Sequence, residues 1–369
     1  MTKTTQPFRC WAEIEREAVR HNARLAKERV GTGVDLLAVI KANGYGHGLT
    51  EVAQALRDEA QLFGVANLKE ALEARRVVPH PVMILGPALP EERAAIVEHG
   101  FIPSISNYAE AQEFNRAASS ATVLVNCVID TGMGRMGLAE SEACAEVMRI
   151  ASLPQLKLHS VSTHLPSADE ELVYTREQLA RFDVLVKKLR REVAGDYRVH
   201  VLLSAGVAQY AEAAHEMVRA GLMLYGASGD AEFQKLLRPV LTWKTRVVLL
   251  RDAAAGSSIS YGRTFVAPRA LRVATLSAGY ADGLPRALSN RGAAVLIGGQ
   301  RCPVLGRVTM DLTLVDVSGV PSVAGGDEGV LLGRQGTEEI LATEMAERAG
   351  TIAWEIFTGI GSRVPRVYL

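Results

Sequence analysis

The sequence predicts an α/β chain: a (β/α)8 TIM-like barrel over residues 1–235, then a mostly β C-terminal domain over residues 236–369. Three observations carry this. The 369 residues are too many for one ordinary core. Eight short apolar runs alternate with helical patterns as far as residue 226, as a parallel sheet buried on both faces requires. After about residue 235 the alternation stops and strand follows strand.

The eight runs are Asp35–Lys41, Leu62–Asn67, Pro81–Gly86, Ile102–Ser106, Thr122–Asp130, Leu156–His164, Val199–Ser204 and Val218–Tyr225. Each of the first seven precedes a helix-like stretch, such as Leu49–Glu59, Glu140–Ile150 or Glu171–Glu192. Eight such units match a closed barrel; a doubly wound open sheet is the alternative that counting leaves open. In the second half, Val240–Leu250, Leu271–Leu276, Ala294–Ile297, Leu312–Val317 and Gly329–Leu332 read as strands, broken by Gly, Pro, Ser and Asp. Thr337–Arg348 reads as helix, with Thr337 as N-cap and Glu338 and Glu339 in the first turn.

Composition narrows the function. Lys+Arg and Asp+Glu are both 41, so no global field attracts nucleic acid or an anionic membrane. The basic cluster Lys187–Arg191 reads as a solvated helix face. The opening residues lack the apolar core of an export signal, and no apolar run reaches membrane-spanning length. Cys10, Cys127, Cys144 and Cys302 are far apart, which predicts neither a metal site nor a disulfide framework and fits a reducing cytoplasm.

A barrel enzyme carries its chemistry at the C-terminal ends of its strands. The first run ends in Lys41, directly after Leu37-Ala-Val-Ile40. An ammonium at the rim of an apolar wall loses solvation, its pKa falls, and the amine becomes fit for Schiff-base chemistry. A lysine merely snorkelling to solvent is the competing reading. The fifth run ends in Asp130 and leads into Gly132-Met-Gly134-Arg135-Met-Gly137. This spells G-x-G-x-x-G, but not in a first βα unit and without an acidic residue about 20 positions on, so a dinucleotide site is rejected. The loop instead carries one rigid cation, Arg135. The sixth run ends in His164 and the seventh in Ser204; the eighth contains Arg219 and Gly221. A carbonyl-reactive amine, cations, a hydroxyl and close-approach glycines at one barrel mouth argue for pyridoxal 5′-phosphate.

The same residues resemble a known family. Ala38-Val-Ile-Lys-Ala-Asn-Gly-Tyr-Gly-His-Gly48 is similar to the cofactor-lysine motif of alanine racemases, barrel-type pyridoxal-phosphate enzymes. Asp130–Gly137, Met217–Gly226, Ser260-Tyr-Gly262, Gly279-Tyr-Ala-Asp-Gly283, Met310-Asp311 and Arg363–Tyr368 recur in family order. The resemblance implies that Lys41 holds the cofactor covalently and is the base for D-alanine, while Tyr261 is the opposite base for L-alanine. It implies that Arg219 faces the pyridine nitrogen, that the His164 equivalent contacts the tyrosine base, and that Tyr45, Ser204, Gly221 and Leu222 hold the phosphate. It implies that Arg135 binds the substrate carboxylate, with Met310 lining that pocket and Tyr280 and Asp311 beside it. It further implies a homodimer in which Tyr261, Tyr280, Met310 and Asp311 act across the interface, and a supply of D-alanine for peptidoglycan.

The chain departs from the family pattern at four places. Val128 stands where a carbamylated lysine commonly braces the arginine, which leaves Asn126 or a bound anion to brace Arg135. Trp354 stands where a tyrosine often contacts the phosphate. Leu203 replaces an asparagine and Thr309 a cysteine. These bear on substrate range and rate more than on reaction type. A broader amino-acid racemase, acting on serine or larger side chains, is the rival on the same scaffold. A related decarboxylase leaves Tyr261 unexplained. A non-catalytic pyridoxal-phosphate carrier leaves the second domain unexplained.

Overall fold

Each apolar run of the first half needs cover on both faces, and a ring of parallel strands inside helices supplies it. The computed structural model describes residues 8–369; the first seven, on which the reading of no export signal partly rests, lie outside the described residues. After a first strand β1 (Cys10–Ile14), the chain runs through β2 (Asp35–Val39), β3 (Leu62–Val65), β4 (Val82–Ile84), β5 (Ile102–Ile105), β6 (Val123–Asp130), the short β7 (Leu138–Ala139), β8 (Leu156–Ser162), β9 (Arg198–His200) and β10 (Met217–Ala220). The parallel order is β10-β2-β3-β4-β5-β6-β8-β9, an eight-stranded, nearly closed barrel. Beyond the end of β9, the Arg219 N–H of β10 donates to the Leu202 carbonyl at 2.9 Å. The eighth strand is shorter than the run Val218–Tyr225, because Gly221 turns the backbone and Leu222–Tyr225 coils into a 3-10 helix.

Two helices show how strand ends are converted into helix starts. Asn67 and Asn107 are N-caps, each accepting from the N–H of the glutamate three residues on, Glu70 and Glu110. Each glutamate returns a carboxylate oxygen to a backbone N–H just before the cap, Ala66 at 2.8 Å and Ser106 at 2.9 Å.

The second half forms β11 (Leu241–Ala253), β12 (Ser258–Ile259), β13 (Phe265–Val266), β14 (Leu271–Leu276), β15 (Ala294–Ile297), β16 (Gln300–Pro303), β17 (Thr313–Asp316), β18 (Glu328–Gln335), β19 (Glu338–Ile340) and β20 (Arg366–Tyr368). The main sheet runs β16-β15-β18-β11-β1-β20. The expected helix from Thr337 is corrected. Glu338–Ile340 pairs with Gly333–Gln335 as a hairpin turning at Gly336, and the helix begins only at Ala342. Two acidic residues after a threonine served a hairpin strand, not a helix start.

The chain folds into two compact units. One comprises Val19–Gly44 and Gly48–Arg238; the other comprises the residues up to Ala18, Tyr45–His47 and Pro239–Leu369. The strand β1, placed with the barrel in the 1–235 assignment, instead pairs with β11 antiparallel and β20 parallel. Within the second unit, Gly46 has φ +78°, and a Cβ there would stand 2.4 Å from the Phe357 carbonyl oxygen. Only glycine permits that approach. It seats Tyr45–His47 against the helix Ala353–Gly359, where the His47 and Phe357 rings meet edge to face at 4.9 Å.

Among the described residues, no helix is long and apolar enough to cross a membrane. The four cysteines are free and buried.

Candidate functional site

Lys41 follows β2 by two residues and opens a left-handed turn. Ala42, Asn43, Gly44 and Tyr45 have φ between 50° and 59°. Three of the four carry a Cβ, and each such residue costs on the order of 1 kcal/mol. Hydrogen bonds over-determine the turn in the barrel unit. The Gly44 N–H donates to the Ile40 carbonyl at 2.8 Å and the Gly48 N–H to the Asn43 carbonyl at 2.9 Å. The Leu49 N–H donates to Asn43 Oδ1 at 3.0 Å, and the Ala42 N–H to Glu70 Oε1 at 2.7 Å. Burial pushes the Lys41 ammonium pKa down, Arg135 adds to that, Glu70 opposes it, and Arg219 again lowers it.

Arg219 is buried, and among the described residues no carboxylate pairs with it. Its guanidinium donates to the carbonyls of Thr163 at 2.7 Å, His200 at 3.0 Å and Val201 at 3.0 Å, and to His164 Nδ1 at 3.3 Å. It also donates to His200 Nδ1. Burial and Arg135 lower its pKa to about 10. An arginine has no acceptor, so both imidazoles accept at Nδ1 and carry their protons at Nε2. Burial, then Arg219, Arg135 and Lys41, push His164 down to about 3. Burial, Arg219 and His159 push His200 well below the usual histidine range. Both are neutral at pH 7.

Ser204 is buried, and its Oγ accepts from the Gly221 N–H at 2.9 Å and the Met223 N–H at 3.3 Å. This joins the loops that follow β9 and β10. Arg135 stands exposed in the loop after β6. The loop hangs on Asp130, whose carboxylate accepts from the N–H groups of Gly132, Met133 and Gly134. Burial raises that carboxyl, but the three donors outweigh it and hold its pKa below the usual range. Val128 offers Arg135 no charge. Asn126, the other candidate brace, is committed to Ser104, Ser160 and His200.

In the second unit, the Trp354 indole donates to the Tyr45 hydroxyl, partly offsetting the burial that pushes Tyr45 up to about 12. The tryptophan therefore meets the Tyr45 hydroxyl with a polar group. Tyr261 sits in a 3-10 turn between the paired strands β12 and β13 and is 71% exposed. Its turn is pinned by Ser260 Oγ, which donates to the Arg307 carbonyl at 2.6 Å. The Tyr280 and Ala281 N–H groups donate to the Thr309 and Met310 carbonyls at 3.0 and 2.9 Å. A Cβ on Gly279 would lie 2.3 Å from both carbonyl oxygens, so glycine is required for the approach. Tyr280, 41% exposed, and Met310, 53% exposed, are thereby brought together. Arg363 adds Asp311 at 2.9 Å and Asp282 at 3.4 Å.

Thus Lys41, Arg135, His164, Ser204, Arg219, Gly221 and Leu222 lie in the barrel unit, and Tyr45, Tyr261, Tyr280, Met310, Asp311 and Trp354 in the other. Sequence reasoning missed Glu70 and His200, and weighed Asn126 only as a brace for Arg135. Glu70 was signalled by its Asn67-x-x-Glu capping spacing. The other two lie inside strands, where a neutral polar residue carries no periodic signal.

The buried histidines have a measurable consequence. His159, lowered to about 4 mainly by burial, joins His164 and His200 in staying neutral when folded. An unfolded chain binds those protons near pH 6.5, so stability is full above that pH and falls as pH drops below it. Each histidine adds a slope of about 1.4 kcal/mol per pH unit. Urea midpoints are expected to be level above pH 7 and to fall between pH 6.5 and 5, before carboxylates titrate. A level profile across that window would refute the assignment.

Comparison with known proteins gives one consistent match. The family described as Alanine racemase, N-terminal domain matches residues 14–229, and Alanine racemase, C-terminal domain matches residues 240–368. The alanine racemase of Symbiobacterium thermophilum is 43% identical over 366 residues, covering 97% of this chain and 96% of that one. That of Halothermothrix orenii is 40% identical over 365 residues, covering 97% and 96%. The solved alanine racemase of D-cycloserine-producing Streptomyces lavendulae is 33% identical with a TM-score of 0.91, covering 99% of this chain and 98% of that one. That of Bacillus anthracis with bound L-Ala-P is 34% identical with a TM-score of 0.89, covering 99% and 96%.

Proposed function

The chain belongs to the alanine racemase family of isomerases, and from that premise we propose that it interconverts L- and D-alanine with Lys41 and Tyr261 as opposing bases. One observation supports this above all: a lysine amine of lowered pKa shares the barrel unit with a buried guanidinium that no carboxylate among the described residues pairs with. The donor set fits pyridoxal 5′-phosphate, which is anionic and needs an amine for its aldehyde. Lys41 is proposed to hold it, Arg219 to meet the ring nitrogen, and Tyr45, Ser204, Gly221 and Leu222 to meet the phosphate, with His164 and Trp354 alongside. Bound there, the cofactor supplies an electron sink that acidifies the α-proton of an amino acid.

The protein groups do the rest. Lys41 Nζ, with its pKa lowered by burial and two guanidiniums, exchanges a proton with Cα on one face. The Tyr261 hydroxyl exchanges one on the other face, as inversion requires. Neutral His164 carries its proton on Nε2, a donor suited to stabilising a tyrosine oxyanion. Arg219 cannot release its proton to the ring nitrogen, which restrains charge build-up there and limits chemistry to proton exchange. We assign Tyr261, Tyr280, Met310 and Asp311 to a site completed by a second copy of the chain in a twofold homodimer; the exposure of the first three supports this. A cytoplasmic role supplying D-alanine for peptidoglycan belongs to the same proposal, and four free cysteines suit that compartment.

Arg135 is assigned to the substrate carboxylate. Arg135→Lys keeps the charge but loses the planar fork, and kcat/KM is expected to fall by about 10- to 100-fold. Unchanged kinetics would remove Arg135 from the site.

The deciding experiment incubates the protein and pyridoxal phosphate with a panel of L-amino acids and separates the products by chirality. D-alanine as the main product supports the proposal. D-serine or a mixture replaces it with the broader racemase, and no D-product overturns the reaction.

A further inference from the structure

A polar layer lies inside the barrel behind Arg219. In register across β5, β6 and β8, Ser104 faces Asn126 and Asn126 faces Ser160. All three are buried, as is His200 of β9. Asn126 Nδ2 donates to Ser104 Oγ at 3.2 Å. Asn126 Oδ1 accepts from Ser160 Oγ at 2.9 Å and lies 3.2 Å from His200 Nε2. His200 Nδ1 is in turn engaged by Arg219.

The directions of these bonds are forced. The guanidinium only donates, so His200 Nδ1 must accept and Nε2 must hold the ring proton. The Nε2 proton then needs an acceptor, and the atom in reach is Asn126 Oδ1. A flipped Asn126 amide would place NH2 against a ring N–H, so the amide orientation is fixed as well. A carboxylate at position 126 would favour a doubly protonated ring, whose Nδ1–H would confront the Arg219 N–H. An apolar residue would leave a buried Nε2–H without a partner, at a cost of about 1–3 kcal/mol.

We propose that Asn126 is a positioning residue: its amide oxygen locks His200 as the Nε2–H tautomer and thereby holds the Arg219 guanidinium in the orientation it presents to the cofactor. The link to the cofactor rests on the functional reading above. The tautomer lock rests on the geometry alone.

The test uses the full-length, 15N-labelled protein, with and without pyridoxal phosphate, at pH 7. Histidine side-chain 15N shifts report which ring nitrogen carries the proton, and His200→Gln identifies the His200 signals. The expected result is a neutral His200 protonated at Nε2. Nδ1–H in the unmutated protein overturns the proposal, whatever any variant does. Asn126→Asp is expected to shift both His200 nitrogens to the protonated range. Asn126→Leu leaves the Nε2–H without an acceptor and is expected to loosen His200 from its contact with Arg219, so that the tautomers mix, to change the bound cofactor's absorption spectrum, and to lower kcat about tenfold with KM for alanine little changed. A folded Asn126→Leu protein that keeps the Nε2–H tautomer, the spectrum and kcat also overturns the proposal. If the unmutated protein makes no D-amino acid, the functional reading falls, while the tautomer result, read without substrate, still decides the lock.

Discussion

Lys41→Ala is expected to abolish racemisation in both directions. The variant removes the covalent anchor of the cofactor and one of the two bases together, so the loss is about 10⁴-fold or more. The substitution leaves β2 intact, because the side chain lies beyond the last strand residue, Val39. The left-handed turn after it is held by backbone groups and by Glu70 and Asn43, not by the lysine amine. The folded variant is therefore expected to fail in chemistry alone. Circular dichroism checks the fold, and absorption after dialysis checks whether cofactor remains attached. Substantial turnover by a folded Lys41→Ala protein would show that another amine serves, and would dismantle the assignment of the barrel mouth.

Tyr261→Phe is expected to separate the two faces of the reaction. Enantiomers have equal free energies, so racemisation must slow equally from either side, by about 10²–10⁴-fold. The asymmetry appears in exchange of the α-hydrogen with solvent. D-Alanine should still lose α-deuterium through Lys41, while L-alanine, whose proton faces the missing hydroxyl, should hold it. Equal loss of exchange for both enantiomers would end the two-base assignment. The variant is mild for the fold, since Tyr261 is largely exposed and its turn is fixed through Ser260.

The barrel was legible because a buried parallel strand is apolar on both faces, and that pattern survives in seven strand–helix alternations and an eighth run. The strand β1 was not legible. Cys10–Ile14 is short, mixes Trp11 with Glu13, and finds its partners only in β11 and β20, which local sequence does not announce. Thr337 misled for a related reason: a threonine before two glutamates suits a helix start and a hairpin equally, and the pairing with β18 decided it. At the candidate site, residues with distinctive chemistry in or just after barrel strands could be singled out from sequence: Lys41, Arg135, His164, Ser204 and Arg219. The groups that orient them were not. Asn126 and His200 act through the direction of hydrogen bonds between strands, and that direction exists only once the barrel has formed.

The position of β1 also bears on how the protein is made. Its Cys10 accepts a hydrogen bond from Trp243, 233 residues further along. At about 5–20 residues per second, the ribosome needs on the order of 10–50 s to deliver that partner. Throughout that interval a strand whose Trp11, Ala12 and Ile14 are buried in the finished sheet has neither neighbour. Its second edge waits longer still, for residues 366–368. Most barrel strands, by contrast, meet a neighbour soon after they emerge, and only the closing pair of β2 with β10 waits for a distant partner. Synthesis therefore runs ahead of closure: the β unit can be completed only after nearly all the chain is out, and a truncation anywhere before β20 leaves its earliest strand unpaired on one side.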